Sequence, residues 1–418
     1  MIHSNWRSVC VLVIVGLFVA ACLKVPLIAQ DRIGLDDAAP SKARIQPLDF
    51  DHPPSLPRVT GPSDGEIREA IDRGVAFLVS DQNANGSWGS ATNTKDLNIY
   101  APVPGAHDAF RTATTSLCLM AMVEVGDPQN ADVVRAIDLG EAWLMKHLPE
   151  LRRADGTAIY NVWGHGYSIQ ALVALYRRHE GNSERQALIA DQIRDQFELL
   201  RRYESVDGGW GYYDFRYQLQ RPSSDSISFV NGAVLVALSD AKKIGVDPPP
   251  RIVDRALAAT LRQRKPDFTY LYGEYLKDRP MRGINRPAGS LGRSQCCNLA
   301  LRRWGDAAVT DNVIKHWLYR LYERNGWLSI GRKRPIPHES WFQVAGYFYY
   351  FGHYYGALSL EQLPTEDRTP YQAMLADLIV PKQEKNGCWW DYPLYDYHQQ
   401  YGTAMAVMTL KRCLKLAD

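Results

Sequence analysis

The sequence predicts an all-α fold, an (α/α)6 toroid in which six helical hairpins close into a ring. Three observations carry this. From Glu66 onward, apolar residues recur at helical spacing, as in Ile67, Ile71, Val75, Leu78 and Val79. The pattern returns as about six two-helix units, roughly 50 to 65 residues apart. In each unit the second helix is the more apolar: "GAVLVAL" and "GTAMAVMTL" leave little polar face. A helix apolar on most sides belongs inside, and its charged partner belongs outside.

The elements follow in order. Arg7 precedes an apolar run from Val9 to Ala21, and Lys24 follows it. The run is short for a membrane span and fits an export signal or anchor over residues 1–22. "VAAC" at Val19–Cys22 resembles a lipobox, in which Cys22 would be lipidated. Every version attaches the N-terminus to a membrane or exports it, placing the body in the cell envelope, outside the cytoplasm. Residues 23–65 are proline-rich and polar, and are expected to be a disordered tether; "DFDH" within them is incidental. Residues 66–418 hold the hairpins. "EIREAIDRGVAFLVSDQ" leads to "TATTSLCLMAMVEVG", and "DVVRAIDLGEAWLMKHL" to "GHGYSIQALVALYRRH". "RQALIADQIRDQFELLRRY" leads to "SDSISFVNGAVLVALSDAKKIG", and "RIVDRALAATLRQRK" to "LGRSQCCNLALRRWG". "NVIKHWLYRLYERNGW" leads to "ESWFQVAGYFYYFGHYYGALSL", and "PYQAMLADLIVPKQEKNGCWW" to "YDYHQQYGTAMAVMTLKRCLK".

Composition narrows the function. Among 418 residues, 48 are Lys or Arg and 46 are Asp or Glu, so no electrostatic footprint for nucleic acid exists. Beyond Cys10 and Cys22, five cysteines remain, with Cys296 and Cys297 adjacent. That is neither a disulfide framework nor a zinc knuckle, and buried thiols are expected.

Gln82, Gly86 and Trp88 have the same spacing as Gln383, Gly387 and Trp389. This Gln-x-x-x-Gly-x-Trp pattern resembles the QW repeat of squalene and hopene cyclases and of the wider prenyltransferase and squalene oxidase repeat family. "DGGWG" with Gly209 and Trp210, and "NGW" with Trp327, are similar to partial copies. The resemblance covers about Glu66 to Leu416 and implies an (α/α)6 toroid with a central cavity. Physically the motif reads as a clasp. Gly lets the chain reverse, Trp covers the turn, and the Gln amide bonds carbonyls left open at a helix end.

The activities that the resemblance implies can be tested on residues. Squalene and hopene cyclases use an acidic Asp in a DxDDTA string, which is absent here; "GLDDAAP" lies in the tether. Protein prenyltransferases hold zinc with Asp, Cys and His. "YDYHQQYG" around His398 resembles part of that set, but "PHESWFQ" has His338 and Glu339 where Asp-x-Cys would stand. Thioester proteins need Gly-Cys-Gly-Glu-Gln, and "GCWWD" is not that. No metal and no cofactor is expected.

Polar residues at the starts of the inner helices remain. His338, Glu339, His398, Asp225 and Asp396 are the candidates for acid–base chemistry. His165, Tyr167, Gln170, Asn231, Arg293, Gln295, Gln343 and Tyr401 are the candidates for ligand contact. Asp225 also reads as a helix N-cap, and the histidines as groups satisfying backbone. Tyr347, Tyr350, Phe351 and Tyr354 form a stripe that suits either a pocket wall or helix packing. The expected function is a binding or scaffold module whose cavity takes an apolar or polymeric ligand. The alternatives are an enzyme acting on isoprenoid lipids, by resemblance, and a glycan lyase or hydrolase using carboxylate and histidine.

Overall fold

Among the described residues, twelve of the thirteen α-helices alternate between an outer and an inner layer. The structure, a computed structural model, describes residues 48–95, 99–101, 104–215, 218–222, 226–336 and 343–415. The export segment with Cys22 lies outside the described residues, as do Asp225, His338 and Glu339. The outer helices are α1 (Asp64–Ser80), α3 (Ala131–His147), α5 (Ser183–Arg202), α7 (Pro250–Gln263), α9 (Asp311–Glu323) and α11 (Thr365–Ile379). The inner helices are α2 (Gly105–Val125), α4 (Asn161–Arg178), α6 (Ser228–Lys242), α8 (Pro287–Arg303), α10 (Phe348–Leu360) and α12 (His398–Lys411). Each inner helix packs on the next, and α12 packs back on α2. The ring is closed. Among the described residues there are isolated β-bridges but no strands.

The two layers start differently. Outer helices α1, α3, α5 and α9 begin with side-chain caps from Ser63, Asn130, Asn182 and Thr310. Ser63 and Glu66 form a reciprocal capping box. None of the six inner helices is capped by the side chain of its own N-cap residue, and among the described residues only α10 has a first-turn N–H, that of Tyr350, received by a carboxylate, Asp391. Their first N–H groups, carrying the positive end of each helix dipole, are gathered at one mouth of the ring. No described helix is long and apolar enough to cross a membrane.

The Gln-x-x-x-Gly-x-Trp clasp joins neighbouring hairpins. Gln82, after α1, donates to the Ala136 carbonyl in α3 at 2.8 Å and to its own Gly86 carbonyl at 2.9 Å. Gln383, after α11, donates to the Ala70 carbonyl in α1 at 2.9 Å, so the last clasp closes the ring onto the first helix. The tryptophans are fully buried, and each indole N–H donates to a carbonyl ten residues back. Trp88 reaches Leu78 at 2.8 Å, Trp210 reaches Leu200 at 2.8 Å and Trp389 reaches Ile379 at 2.9 Å. Their backbone N–H groups are received by inner-helix side chains: Thr115, Asn231 and Thr403.

The third clasp is more complete than its sequence suggested. Gly208 stands at the Gly86 and Gly387 position, and all three have positive φ: 100°, 92° and 90°. A Cβ at any of them would run into a carbonyl of the next outer helix. Gly209, nominated from the sequence, abuts Asn231 instead. Glu204 replaces the Gln; it is fully buried and pairs with Arg255 of α7 at 2.7 Å. Trp327 takes no such place: it lies in a five-residue helix, Asn325–Ser329, and is 37% exposed.

Residues 48–63 fall within the stretch expected to be a tether, yet they lie along the outside of the ring. Phe50 meets Phe268 and His316 edge-on, and Asn312 of α9 donates to the Asp51 carbonyl at 3.0 Å. The prolines there are interleaved with Phe50, Leu56 and Val59, which pack against the core.

Candidate functional site

The inner helices enclose a cavity of about 820 Å³. It lies toward their N-terminal ends, where the loops leading into them also reach it. Phe110, Trp163, Phe229, Phe348 and Phe351 supply aromatic faces from four helices. Tyr160, Tyr212, Tyr213, Tyr272, Tyr347 and Tyr392 supply more from the loop side. Their hydroxyls, all but that of Tyr392, which donates to the Pro335 carbonyl at 3.3 Å, are tied to one another. Tyr212 bonds Tyr272, which lies 3.3 Å from the Tyr347 hydroxyl, and Tyr160 bonds Tyr213. Burial raises their phenol pKa values, so they stay neutral. The wall therefore presents ring faces and few open donors.

The residues nominated from the sequence separate into two groups. Tyr167, Gln343 and Tyr401 line the cavity. The other described candidates serve the fold. His165 is fully buried, with Nδ1 2.8 Å from the Gln196 amide oxygen, which ties α4 to α5; burial pulls its pKa down to about 4. Gln170 donates to Asp240 at 3.0 Å, and Gln295 to the Trp317 carbonyl at 2.8 Å. Asn231 receives the Trp210 backbone N–H. Asp396 accepts from Ser90 at 2.9 Å, and His398 Nδ1 bonds the Tyr395 carbonyl at 2.7 Å. Arg293 is fully buried. Its guanidinium donates to the carbonyls of Tyr270 (3.1 and 3.0 Å), Gly289 (2.8 Å) and Ile284, behind the rings of Tyr272 and Phe348. The Tyr347–Tyr354 stripe divides as well: Tyr347 and Phe351 face the cavity, whereas Tyr350 and Tyr354 do not line it.

The sequence reading missed Asp391. Its carboxylate is fully buried behind Tyr401, whose hydroxyl donates to Oδ1 at 2.7 Å, while the Tyr350 backbone N–H donates to Oδ2 at 3.0 Å. Burial pushes its pKa up to about 6; the Tyr401 and backbone bonds and the Arg332 charge pull the other way. A neutral Asp391 can donate to Tyr401, freeing the Tyr401 O–H to point into the cavity. The spacing carried no signal for this pair, since residues 391 and 401 meet only through the turn into α12.

That titration has a stability consequence. The folded pKa is raised above the carboxylate's usual value of 3.8, so the folded state holds this proton more firmly than the unfolded chain. The stabilisation is complete below about pH 4 and is lost as pH rises through about 6, at about 1.4 kcal/mol per pH unit while the two states differ by one proton. Urea unfolding at pH 4.5, 5.5 and 6.5 should show that Asp391→Asn loses this component relative to the wild type. Parallel pH profiles for the two would mean that Asp391 is not the raised group.

The opposite mouth differs. There the C-terminal ends of the inner helices border a second chamber of about 800 Å³. Arg412 pairs with Glu124 at 2.6 Å and Glu361 at 2.8 Å, and Arg303 pairs with Asp240 at 2.9 Å. Basic side chains there complement the negative ends of the helix dipoles. No group of three or more metal-ligating side chains occurs among the described residues.

The fold and the site define an α/α toroid with an aromatic chamber. No family model and no curated protein matches the chain. Solved structures do. The α-1,6-mannanase GH76A from Salegentibacter sp. HEL1_6 is 11% identical with a TM-score of 0.53, covering 84% of this chain and 100% of that chain. Type II terpene cyclase MstE from Scytonema is 16% identical with a TM-score of 0.46, covering 84% of this chain and 98% of that chain. A protein from Actinoplanes is 14% identical with a TM-score of 0.45, covering 84% and 100%. At these identities the likeness concerns the fold.

Proposed function

We propose that the ring binds an isoprenoid lipid in its aromatic cavity and that any chemistry on that lipid uses Tyr401 backed by Asp391. The carrying observation is the wall itself: stacked and edge-on rings whose hydroxyls bond one another, which suits a long or polycyclic apolar molecule. Tyr401 supports the enzymatic reading because it is a cavity-lining hydroxyl on a buried carboxyl group able to supply or accept a proton. A glycan-cleaving site needs two carboxylates on one groove. The described lining holds none, and Asp391 meets it through Tyr401.

Incubation of the purified full chain with geranylgeraniol, followed by native mass spectrometry, tests the reading. The wild type should retain the lipid stoichiometrically. Ala113→Trp, which fills the cavity from α2, should retain at least about tenfold less while keeping its helical circular dichroism, because the lipid's buried surface has nowhere to go. A wild type that retains none, or an Ala113→Trp variant that binds equally, overturns the reading.

We further propose that the chain is exported and held at a membrane by its first 22 residues, on the strength of Arg7, the Val9–Ala21 run and Cys22. A mature mass starting at Cys22 with diacylglycerol attached supports lipidation. An unprocessed chain recovered from the cytoplasmic fraction refutes export.

A further inference from the structure

Arg282 has no counterpart elsewhere in the cavity wall. Among the described lining residues it is the one with a formal charge. It stands at the loop-side mouth, exposed, and its guanidinium has no hydrogen-bond or ion-pair partner among the described residues. Its backbone, by contrast, is firmly held. The Arg282 N–H donates to the Arg279 carbonyl at 3.1 Å, and its carbonyl receives the Asn285 N–H at 2.7 Å. Asn285 in turn receives the Tyr272 N–H at 2.8 Å and donates to the Arg279 carbonyl at 3.1 Å. Buried Arg293 grips the carbonyl two residues on from Arg282, that of Ile284. The same segment places Tyr275, Leu276 and Ile284 in the cavity wall. The backbone that carries this guanidinium is thus held at the mouth of an apolar chamber.

The segment that carries it is net basic. Residues 277–286 carry Lys277, Arg279, Arg282 and Arg286 against Asp278. The N-terminal ends of the inner helices gather at this mouth and add their positive dipole ends, with, among the described residues, only the α10 start met by a carboxylate, that of Asp391. An uncharged lipid would leave this charge with nothing to read. An anionic group on the end of an apolar chain would meet it as the chain fills the cavity.

We infer that the ligand is an amphiphile with one anionic head, a carboxylate or a phosphate, and that Arg282 holds the head at the mouth while the apolar chain occupies the aromatic cavity. This rests on the isoprenoid reading and names the ligand class within it. Head and chain can be separated experimentally by titrating the full chain, followed by tryptophan fluorescence, with geranylgeraniol, geranylgeranoic acid, geranylgeranyl phosphate and inorganic phosphate. The acid and the phosphate ester should bind at least about tenfold tighter than the alcohol, as charge-assisted bonds require. Arg282→Gln should bring both down to the alcohol's affinity, and Arg282→Lys should restore part of the difference. Equal affinities for alcohol and acid in the wild type, or an undiminished preference in Arg282→Gln, overturn the inference and leave the cavity reading standing. No binding of any chain overturns both. Inorganic phosphate that competes as well as the phosphate ester reduces the site to an ion site and also overturns the inference.

Discussion

Trp389→Ala should lower the unfolding free energy by about 3 to 5 kcal/mol, the range for truncating a buried Trp. The side chain is fully buried in the seam between the last and first hairpins, against Gly74 of α1. Its indole N–H satisfies the Ile379 carbonyl at the end of α11, and its backbone N–H is received by Thr403 of α12. One substitution therefore opens a cavity and strands a buried carbonyl. The seam closes the ring, so the loss should appear in the cooperative unfolding of the whole domain. Trp327→Ala is the control: that side chain is 37% exposed and takes no clasp position, so its cost should be far smaller. Equal losses in urea unfolding would mean that the Trp389 clasp does not secure the seam.

Arg293→Met should cost about 2 to 4 kcal/mol, because each buried carbonyl left without a donor costs about 1 to 3 kcal/mol. The guanidinium lies among backbone carbonyls with no carboxylate bonded to it, and burial lowers its pKa to about 10. It therefore stays charged near neutral pH. Methionine keeps much of the volume and none of the donors. The Tyr270 carbonyl lies outside any helix and that of Ile284 in a single 3-10 turn, Gly283–Asn285, and both would lose these partners. Calorimetric melting should show the loss, and Arg293→Lys should recover part of it. A neutral Arg293→Met would mean that those carbonyls find other donors. The residue was nominated from sequence as a ligand contact; in the structure it is the post that holds the turn carrying Arg282.

The clasp was readable because it repeats. Gln, Gly and Trp at fixed spacing could be recognised before their partners were known. The segments that receive the clasp repeat as well: "AIDRGVAFL" at Ala70–Leu78 and "AIDLGEAWL" at Ala136–Leu144 share the alanines whose carbonyls receive the two Gln amides, and the glycines, Gly74 and Gly140, on which Trp389 and Trp88 rest. Glu204 hid the third copy by exchanging an amide bond for an ion pair. The site was less legible. Residue type could not separate Tyr401, on the cavity, from His165 and His398, which satisfy groups inside the fold. Asp391 and Arg282 escaped because a carboxylate after two tryptophans and an arginine in a loop have no local signature.

From its sequence alone this chain was determined to be helical, to alternate exposed and buried helices, and to repeat one clasp, because periodicity and steric needs act over a few residues. The tertiary structure decided that α12 returns to α2, that tyrosines from distant loops share one wall, and that Tyr401 rests on a buried carboxyl group. Those are long-range matters. Which polar group faces the cavity depends on the rotation of each inner helix against two neighbours, and that is set by packing between segments far apart in the chain.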